Sequence, residues 1–419
     1  MYGLLGKKLS HSFSKTIHEQ FTNTKYELIE TSSLDQFFKT RQIEGINVTI
    51  PYKNKIIPYL DELSPEAREI NAVNAVISRN GKLLGYNTDY YGLNKTLDYY
   101  NIKVKDQTII ILGNGSTSKT ISYYCKKNLA KKVIILARNP KSNEYNLNKV
   151  DNFKSTTIVF NATPVGMFPN NNQGALVELS NLPNLTSVVD VIYNPIRSNL
   201  LIAAEELKLT AVNGLLMLIY QAVESIKLFH NIHISDVEVI DYYHKLQFKK
   251  QNLVFIGMPM SGKTFLSNLT SKKYNKNFVD IDEEITIYTR DSIENTFKNQ
   301  GEDYFRNVES NIISKYSKLN NQAISCGGGV ILNKENMVNL KQNGIIIFID
   351  MPLTLLKKCN PRNRPLLKDK SNIERLYSER YRLYKSFADI TIHKTSFNEK
   401  AIMRQIEVNI NEYISTKWS

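Results

Sequence analysis

The sequence predicts an α/β protein: an N-terminal α/β domain, then a Rossmann-like domain, then an α/β/α domain of the phosphate-loop type with a central parallel sheet. Three observations carry this. Short β-branched runs alternate with helix-compatible segments along all 419 residues, the pattern of sheets covered by helices. The run Thr108–Leu112 leads directly into Gly113-Asn114-Gly115-Ser116-Thr117-Ser118, and a helical segment follows. The run Leu253–Ile256 leads into Gly257-Met258-Pro259-Met260-Ser261-Gly262-Lys263-Thr264, which fits G-x-x-x-x-G-K-[ST] at every fixed position.

The composition narrows the class. Hydrophobic residues make up 42% and charged residues 22%, ordinary for a water-soluble globular chain. No apolar run approaches the ~18 residues that would span a membrane, and the first residues lack a basic stretch leading into an apolar one, so no secretory signal is expected. Cys125, Cys326 and Cys359 are scattered, without disulfide or metal-ligand spacing, which fits a reducing cytoplasm. The net charge of +14 is compatible with nucleic acid, with anionic small molecules, or with lysines spread over solvated surface. No basic arm, zinc-finger spacing or aromatic RNA-binding signature favours the first.

Taken in order, Tyr2–Leu5 and Ile46–Ile50 read as strands, and Ser14–Phe21 and Asn54–Leu63 as helices. Three polar clusters fall at strand ends: Ser10–Ser14, Asn47–Lys53 and Gly85–Asp89. They suit a small polyhydroxylated ligand, although any one of them alone reads better as capping and turn chemistry. The loop Gly113–Ser118 is a dinucleotide fingerprint with Ser118 in place of the third glycine. The next strand, Val133–Leu136, ends in Ala137-Arg138-Asn139. An arginine there suits a ribose 2′-phosphate where an acidic residue would suit a 2′-hydroxyl, so NADP is expected. Ile158–Val159–Phe160 and Ser187–Val191 continue the doubly wound pattern, and Asn213–Gln221 opens an apolar helix on which Gln221 is the odd polar residue. A short polar segment at Gln247–Gln251 reads as the tether to the second half.

In the phosphate loop, glycines let successive backbone N–H groups converge on phosphate oxygens at a helix N-terminus. Lys263 would reach the β/γ-phosphates and Thr264 would hold Mg²⁺. Phe278–Asp282 reads as a strand end with Asp280 and Asp282 on the same side.

Together the motifs of residues 1 to about 246 resemble shikimate dehydrogenase: His11–Ser14, Asn47–Lys53, Ala72-Val73-Asn74, Asn87-Thr88-Asp89, the glycine-rich loop, Asn161–Met167 and Met217–Gln221, in order and at compatible spacing. The resemblance implies that Ser12, Ser14, Asn47, Thr49, Asn74, Asp89 and Gln221 hold the shikimate carboxylate and hydroxyls, with Tyr193 a further contact. It implies that Lys53 and Asp89 form the catalytic pair, and that Gly113, Gly115, Ser116, Ala137, Arg138, Asn139 and Gly214 meet NADPH/NADP⁺. Asn71, Ala75 and Lys15 depart from residues common in the family.

Residues 252 to about 395 resemble shikimate kinase through the phosphate loop, Asp280-Ile281-Asp282, Gly301–Glu309, Gly327-Gly328-Gly329 and Arg364-Pro365-Leu366-Leu367. That likeness implies ATP held by Gly257, Ser261, Gly262, Lys263 and Thr264, and Mg²⁺ held by Thr264 and Asp280. Asp282 becomes the base or orienting group, Arg306 and Arg380 a clamp for the substrate carboxylate, Gly327, Gly328 and Gly329 a close backbone approach to the substrate, and Arg364 a lid residue over ATP. Lys357 and Lys358 stand where the family usually places an arginine against adenine.

The implied organisation is a substrate domain of 1–95 with 215–246, an NADP domain of 96–214 and a kinase domain of 247–419. The implied function is a fused enzyme that reduces 3-dehydroshikimate and phosphorylates the product, with small-molecule substrates and neither nucleic acid nor membrane as partner. The readings set against it are a ligand sensor that has kept both folds without turnover, and a quinate-type substrate for the first half.

Overall fold

The computed structural model describes residues 1–9, 13–40, 42–359 and 370–417. They form two compact units: Met1–Asn194 with Ala203–Tyr243, and Pro195–Ile202 with His244–Ser419. The first unit holds two six-stranded sheets and the second a five-stranded one.

The first sheet contains β1 (Tyr2–Gly6), β2 (Tyr26–Glu30), β3 (Gly45–Val48), β4 (Glu62–Leu63), β5 (Ala75–Arg79) and β6 (Lys82–Tyr86), in the order β2-β1-β3-β5-β6-β4. β1 runs parallel to β2 and β3, whereas β3/β5 and β5/β6 are antiparallel. Leu5, Ile46, Val48 and Val76 lie on its core side with Phe37, Tyr52 and Ile56.

Two expectations for this region fail locally. β3 ends at Val48 and not at Ile50, because the chain turns there: the Tyr52 N–H bonds the Thr49 carbonyl at 2.9 Å. Asn54–Leu63 is not a helix but a single 3₁₀ turn, Ile57–Tyr59, followed by β4. Pro58 has no amide hydrogen to donate, so a continuous helical ladder loses a bond in its middle.

The second sheet is parallel throughout: β7 (Thr108–Leu112), β8 (Lys132–Ala137), β9 (Tyr145–Asn146), β10 (Ile158–Asn161), β11 (Ser187–Asp190) and β12 (Thr210–Val212), ordered β12-β11-β10-β7-β8-β9. The order reverses between β7 and β10, and at such a switch point a crevice opens beyond the carboxyl ends of the strands. The helix Thr88–Tyr99 lies against the helix Leu215–His230. They approach so closely at Gly92 that a Cβ there would fall 2.6 Å from the Met217 carbonyl oxygen. That approach sets the first turn of one helix, with Asp89, beside Gln221 on the other.

The second unit is built on β13 (Asn252–Ile256), β14 (Asn277–Asp280), β15 (Gln322–Ser325), β16 (Gly344–Asp350) and β17 (Ile390–His393), all parallel, in the order β14-β15-β13-β16-β17. Alternation is strict: Val254, Ile256, Ile346 and Phe348 enter one core, and Leu253, Phe255, Ile345, Ile347 and Ile349 enter another. A sheet buried on both faces needs this continuous apolar pattern. The segment Pro195–Ile202 belongs to this unit, where buried Arg197 pairs with the half-buried Asp389 at 3.0 Å.

The expected tether at Gln247–Gln251 is instead the end of a helix, Asp236–Lys250, with β13 beginning at Asn252. Gln247, Lys250 and Gln251 are buried. The Lys276 ammonium closes the helix end, donating to the carbonyls of Phe248 (2.9 Å) and Gln251 (2.8 Å). A cation at a helix C-terminus meets carbonyls that have no partner inside the helix. Among the described residues no helix is long and apolar enough to cross a membrane.

Candidate active sites

In the first unit a hydrogen-bonded web surrounds Asn74. Lys53 Nζ lies 2.5 Å from Asp89 Oδ2, and Asp89 Oδ1 accepts from Asn74 Nδ2 at 2.9 Å. Asn74 Nδ2 also faces Thr88 Oγ1 (3.0 Å) and Gln221 Oε1 (3.4 Å), while Asn74 Oδ1 accepts from the Thr88 N–H at 2.6 Å. Asn87 is the cap of the helix Thr88–Tyr99, its side chain accepting from the Tyr90 N–H, so Asp89 sits in the first turn, where a carboxylate is favoured. Asn47 donates to the Asn74 carbonyl (3.2 Å) and to Ser225 Oγ (2.7 Å), and accepts from the Tyr26 hydroxyl (2.7 Å). Lys53, Asn47, Asn74, Asp89 and Gln221, far apart in sequence, are thus one network.

Tyr26 and Ser225 belong to that network and escape a reading of the sequence. Ser225 has a faint signal, since it follows Gln221 by four residues and so shares its face on an apolar helix. Tyr26 has none. Behind it, His18 stacks on the Tyr26 ring at 4.0 Å, and neither imidazole nitrogen finds a hydrogen-bond partner among the described residues. Burial, aided by the nearby His230, pushes the His18 pKa down to about 3. Ser14 is buried at the start of the helix Ser14–Phe21, and Phe13 packs edge-on against Tyr193 at 5.7 Å. Burial raises the Tyr193 phenol pKa. Ser12 lies outside the described residues.

A cavity of about 430 Å³ opens where the order of the parallel sheet reverses; Thr49, Lys53, Gly113, Gly115, Arg138 and Thr163 are among its walls. Ser116, Ala137 and Asn139 line it too, so every expected cofactor contact except Gly214 is brought together here. Gly214 is not among those walls; it caps the helix Leu215–His230 with its α-carbon so close to Val191 that a Cβ would collide with the Val191 carbonyl oxygen. The helix Ser116–Lys127 starts at the rim, its free N–H groups offering an anion site. Arg138 is exposed at the mouth. The fingerprint loop and the arginine fit a phosphorylated dinucleotide, and Lys53 reaches the same space.

In the second unit the phosphate loop joins β13 to the helix Lys263–Tyr274, with Gly262 at φ +87°, a left-handed conformation that favours glycine. Lys263 Nζ donates to the Met258 carbonyl at 2.9 Å. Thr264 Oγ1 donates to Asp280 Oδ2 at 2.7 Å and lies 3.1 Å from Ser325 Oγ. These three oxygens fit Mg²⁺, which takes one or two carboxylates and completes its shell with phosphate and water. The expectation that Asp280 and Asp282 share a strand face is wrong. β14 stops at Asp280, whose Oδ1 accepts from the N–H groups of Asp282 (2.9 Å) and Glu283 (3.3 Å) and so caps the helix Ile281–Thr289. Aspartate is a strong helix initiator, and here that preference ends the strand.

The triple glycine gathers the remaining groups. A Cβ on Gly327 would lie 2.7 Å from Asp282 Oδ1, and one on Gly329 would lie 2.5 Å from both terminal nitrogens of Arg306. Arg380 Nη1 and the Tyr384 hydroxyl donate to the Gly328 carbonyl. Arg306 pairs with Glu309 at 2.8 Å and Glu302 at 3.1 Å. Glu309 is buried, and burial pushes its carboxyl above the usual range while Arg306 pulls it back. Its Oε1 has no partner among the described residues. Glu309, Ser325 and Tyr384 carry no sequence signal beyond their neighbours. Arg364 lies outside the described residues.

Residues 4–76 match the family model of the shikimate dehydrogenase substrate binding domain, and residues 259–411 match that of shikimate kinase. A shikimate dehydrogenase (NADP(+)) of Clostridium perfringens is 32% identical over 267 residues, covering 59% of this chain and 98% of that protein. Among solved structures, a chorismate mutase/shikimate 5-dehydrogenase fusion protein from Clostridium acetobutylicum aligns at TM-score 0.55 and 33% identity, covering 59% of this chain and 96% of that one. A shikimate 5-dehydrogenase from Thermus thermophilus in complex with NADP(H) and shikimate aligns at TM-score 0.52 and 25% identity, covering 58% and 98%. With the Lys53–Asp89 pair beside a dinucleotide cavity in one unit and a complete phosphate loop in the other, the chain belongs to the shikimate dehydrogenase family and carries a shikimate kinase domain after it.

Proposed function

We propose that the protein is a bifunctional enzyme that reduces 3-dehydroshikimate to shikimate with NADPH and then phosphorylates shikimate with ATP to shikimate 3-phosphate. The observation that carries this reading is the coexistence on one chain of the Lys53–Asp89 pair at the dinucleotide cavity and the Thr264–Asp280 pair at the phosphate loop.

In the first reaction NADPH, when bound, supplies the hydride to the 3-carbonyl carbon. Lys53 donates a proton to the carbonyl oxygen as it becomes a hydroxyl, and the neutral amine regains a proton from solvent. Asp89 keeps the ammonium aimed and accepts a hydrogen bond from the substrate; such proton transfer contributes typically ~10²–10⁴-fold. Asn47, Thr49, Asn74, Gln221, Ser12, Ser14 and Tyr193 are assigned to the substrate's carboxylate and hydroxyls, and Arg138 to the 2′-phosphate. Gly113, Gly115, Ser116, Ala137, Asn139 and Gly214 complete the cofactor contacts. The domains are assigned as 1–95 with 215–246, 96–214 and 247–419.

In the second reaction the shikimate 3-hydroxyl attacks the γ-phosphorus of ATP, the bond to ADP breaks, and the hydroxyl proton passes to Asp282. Thr264 and Asp280 would hold Mg²⁺, which supplies charge neutralisation at the phosphates. Gly257, Ser261 and Gly262 present backbone to the nucleotide, Lys263 and Arg364 stabilise the transferring group, and Gly327–Gly329 lie along the substrate. Arg306 and Arg380 take the substrate carboxylate, the pairing a guanidinium makes best. A cytoplasmic setting and small-molecule partners fit both reactions.

A coupled assay tests the reading. The purified chain receives dehydroshikimate, NADPH, ATP and Mg²⁺, and NADPH absorbance and ADP release are followed separately. Loss of NADPH, with ADP appearing only once shikimate forms or is added, supports it. Shikimate binding by calorimetry with neither signal moving would establish a sensor instead. Faster turnover of quinate than of shikimate by the first half would overturn the substrate assignment.

A further inference from the structure

The kinase mechanism uses one lysine of the phosphate loop, yet a second ammonium lies against the same loop. Lys394 directly follows β17, its main chain fixed by a bond from its N–H to the Asp350 carbonyl at 2.8 Å. Its side chain is buried at 8% exposure and runs over the Phe397 ring, with Nζ 5.5 Å from the ring centre. Nζ donates to the Ser261 carbonyl at 3.0 Å, and it lies 2.8 Å from where a Cβ on Gly262 would be. Among the described residues Lys394 makes no ion pair, and burial lowers its pKa. Its hydrogen-bond partner is a neutral carbonyl, and although the Glu399 carboxylate favours the charged form, a buried ammonium without a bonded anion is costly to keep. An anion bound at this loop would offset that cost.

The geometry of one peptide unit indicates what. A trans peptide is planar, so its C=O and N–H point in opposite directions. The Ser261 carbonyl is drawn onto Lys394; the N–H of the same peptide, that of Gly262, is therefore turned away from Lys394. Gly262 is the cap of the helix Lys263–Tyr274, where free N–H groups collect around an anion. A cation bonded to the carbonyl also polarises the peptide and makes its N–H the stronger donor.

We propose that Lys394 is a positioning residue for ATP: through the Ser261–Gly262 peptide it orients and strengthens the Gly262 N–H as a donor to the nucleotide phosphates, and the phosphate charge in turn stabilises its buried ammonium. Lys394 acts on the nucleotide and not on shikimate, because its Nζ donates to the phosphate-loop carbonyl of Ser261, whereas Arg306 and Arg380 are gathered at the triple glycine.

The inference rests on the kinase reading, and wild-type ADP release, measured first, tests that reading alone. Lys394→Arg, Lys394→Gln and Lys394→Met are then compared for KM of ATP, KM of shikimate, kcat and dehydrogenase turnover, with ATP affinity also measured by calorimetry. Arginine keeps charge and donor, glutamine keeps a neutral donor, and methionine keeps only the bulk. Expected increases in the KM and Kd of ATP are within about twofold for Arg, about threefold for Gln and about tenfold or more for Met, since hydrogen bonds to charged groups are roughly twice as strong as neutral ones. KM of shikimate and dehydrogenase turnover should stay at wild-type values. An unchanged ATP affinity in Lys394→Met overturns the proposal, and so does a parallel loss of ATP and shikimate affinity, which marks a merely structural role. If Lys394→Met does not fold, the comparison of Gln with Arg decides: a weaker ATP affinity in Gln supports the proposal, and equality overturns it.

Discussion

The two lysines proposed for the reacting centres are held differently. Lys53 already grips a carboxylate, Asp89, at 2.5 Å, and that carboxylate is fixed in turn by Asn74. Lys263 instead rests on the Met258 carbonyl of its own loop at 2.9 Å. The difference fits the chemistry proposed for each. A proton donor needs its orientation set before the substrate arrives, and the web of Asn74, Thr88, Gln221 and Asn47 sets it. A cation proposed to stabilise an incoming polyanion can exchange a neutral carbonyl for phosphate. The fold finishes the first site with its own carboxylate, and the second keeps a contact that a phosphate can replace.

Mutations can break this contrast. Lys53→Ala should lower the kcat of reduction by ~10²–10⁴-fold while shikimate phosphorylation stays unchanged; loss of both activities in the two separate assays would mean that the substitution damages more than the pair. Lys263→Ala should lower kinase kcat by roughly 10²–10³-fold, the typical cost of one transition-state donor, with reduction intact. Retained phosphoryl transfer would remove Lys263 from the mechanism. Arg138→Asp should change the ratio of kcat/KM for NADPH over NADH by roughly 10–100-fold, the worth of one charged hydrogen bond. An unchanged ratio would assign the 2′-phosphate to another group.

The smallest effect concerns the wall behind the finished site. His18 is neutral in the fold down to about pH 3, whereas an unfolded histidine takes up its proton near pH 6.5. Between those values the unfolded chain binds more protons, so the stabilising contribution is complete above pH 6.5 and is lost as pH falls below it. At pH 5 the loss is about 2 kcal/mol relative to pH 8. His18→Phe, which keeps a ring against Tyr26, should reduce the fall in Tm between pH 8 and pH 5 for the first unit. An identical fall in wild type and variant would show that other groups carry the acid sensitivity.

What the sequence made legible is what neighbouring residues build together. The phosphate loop, the dinucleotide fingerprint and the triple glycine are local, because one turn of backbone performs the task and its spacing cannot vary. The carboxylate web is not local: Tyr26, Asn47, Asn74 and Ser225 meet only after β2, β1, β3, β5 and the helix Leu215–His230 have packed, so Tyr26 leaves no readable trace in the sequence and Ser225 only a faint one. Local rules also competed. At Asn54–Leu63 the apolar spacing suggested a helix and Pro58 overruled it; at Gln247–Gln251 polarity suggested a linker, yet Lys276 satisfied the helix end and buried it. At Asp280 the strand periodicity ran two residues past the point where a capping carboxylate starts a helix.

Asp280 also limits how its own site can be dissected. One carboxylate oxygen starts a helix and the other faces Thr264, so the residue is at once a folding signal and the proposed metal ligand. Alanine there would confound the two, since any lost activity could arise from a frayed helix that displaces Asp282. Asparagine keeps an oxygen for the helix and removes the charge, so it separates one duty from the other. A residue with two jobs is also hard to replace in evolution, because a substitution must satisfy both constraints in a single step.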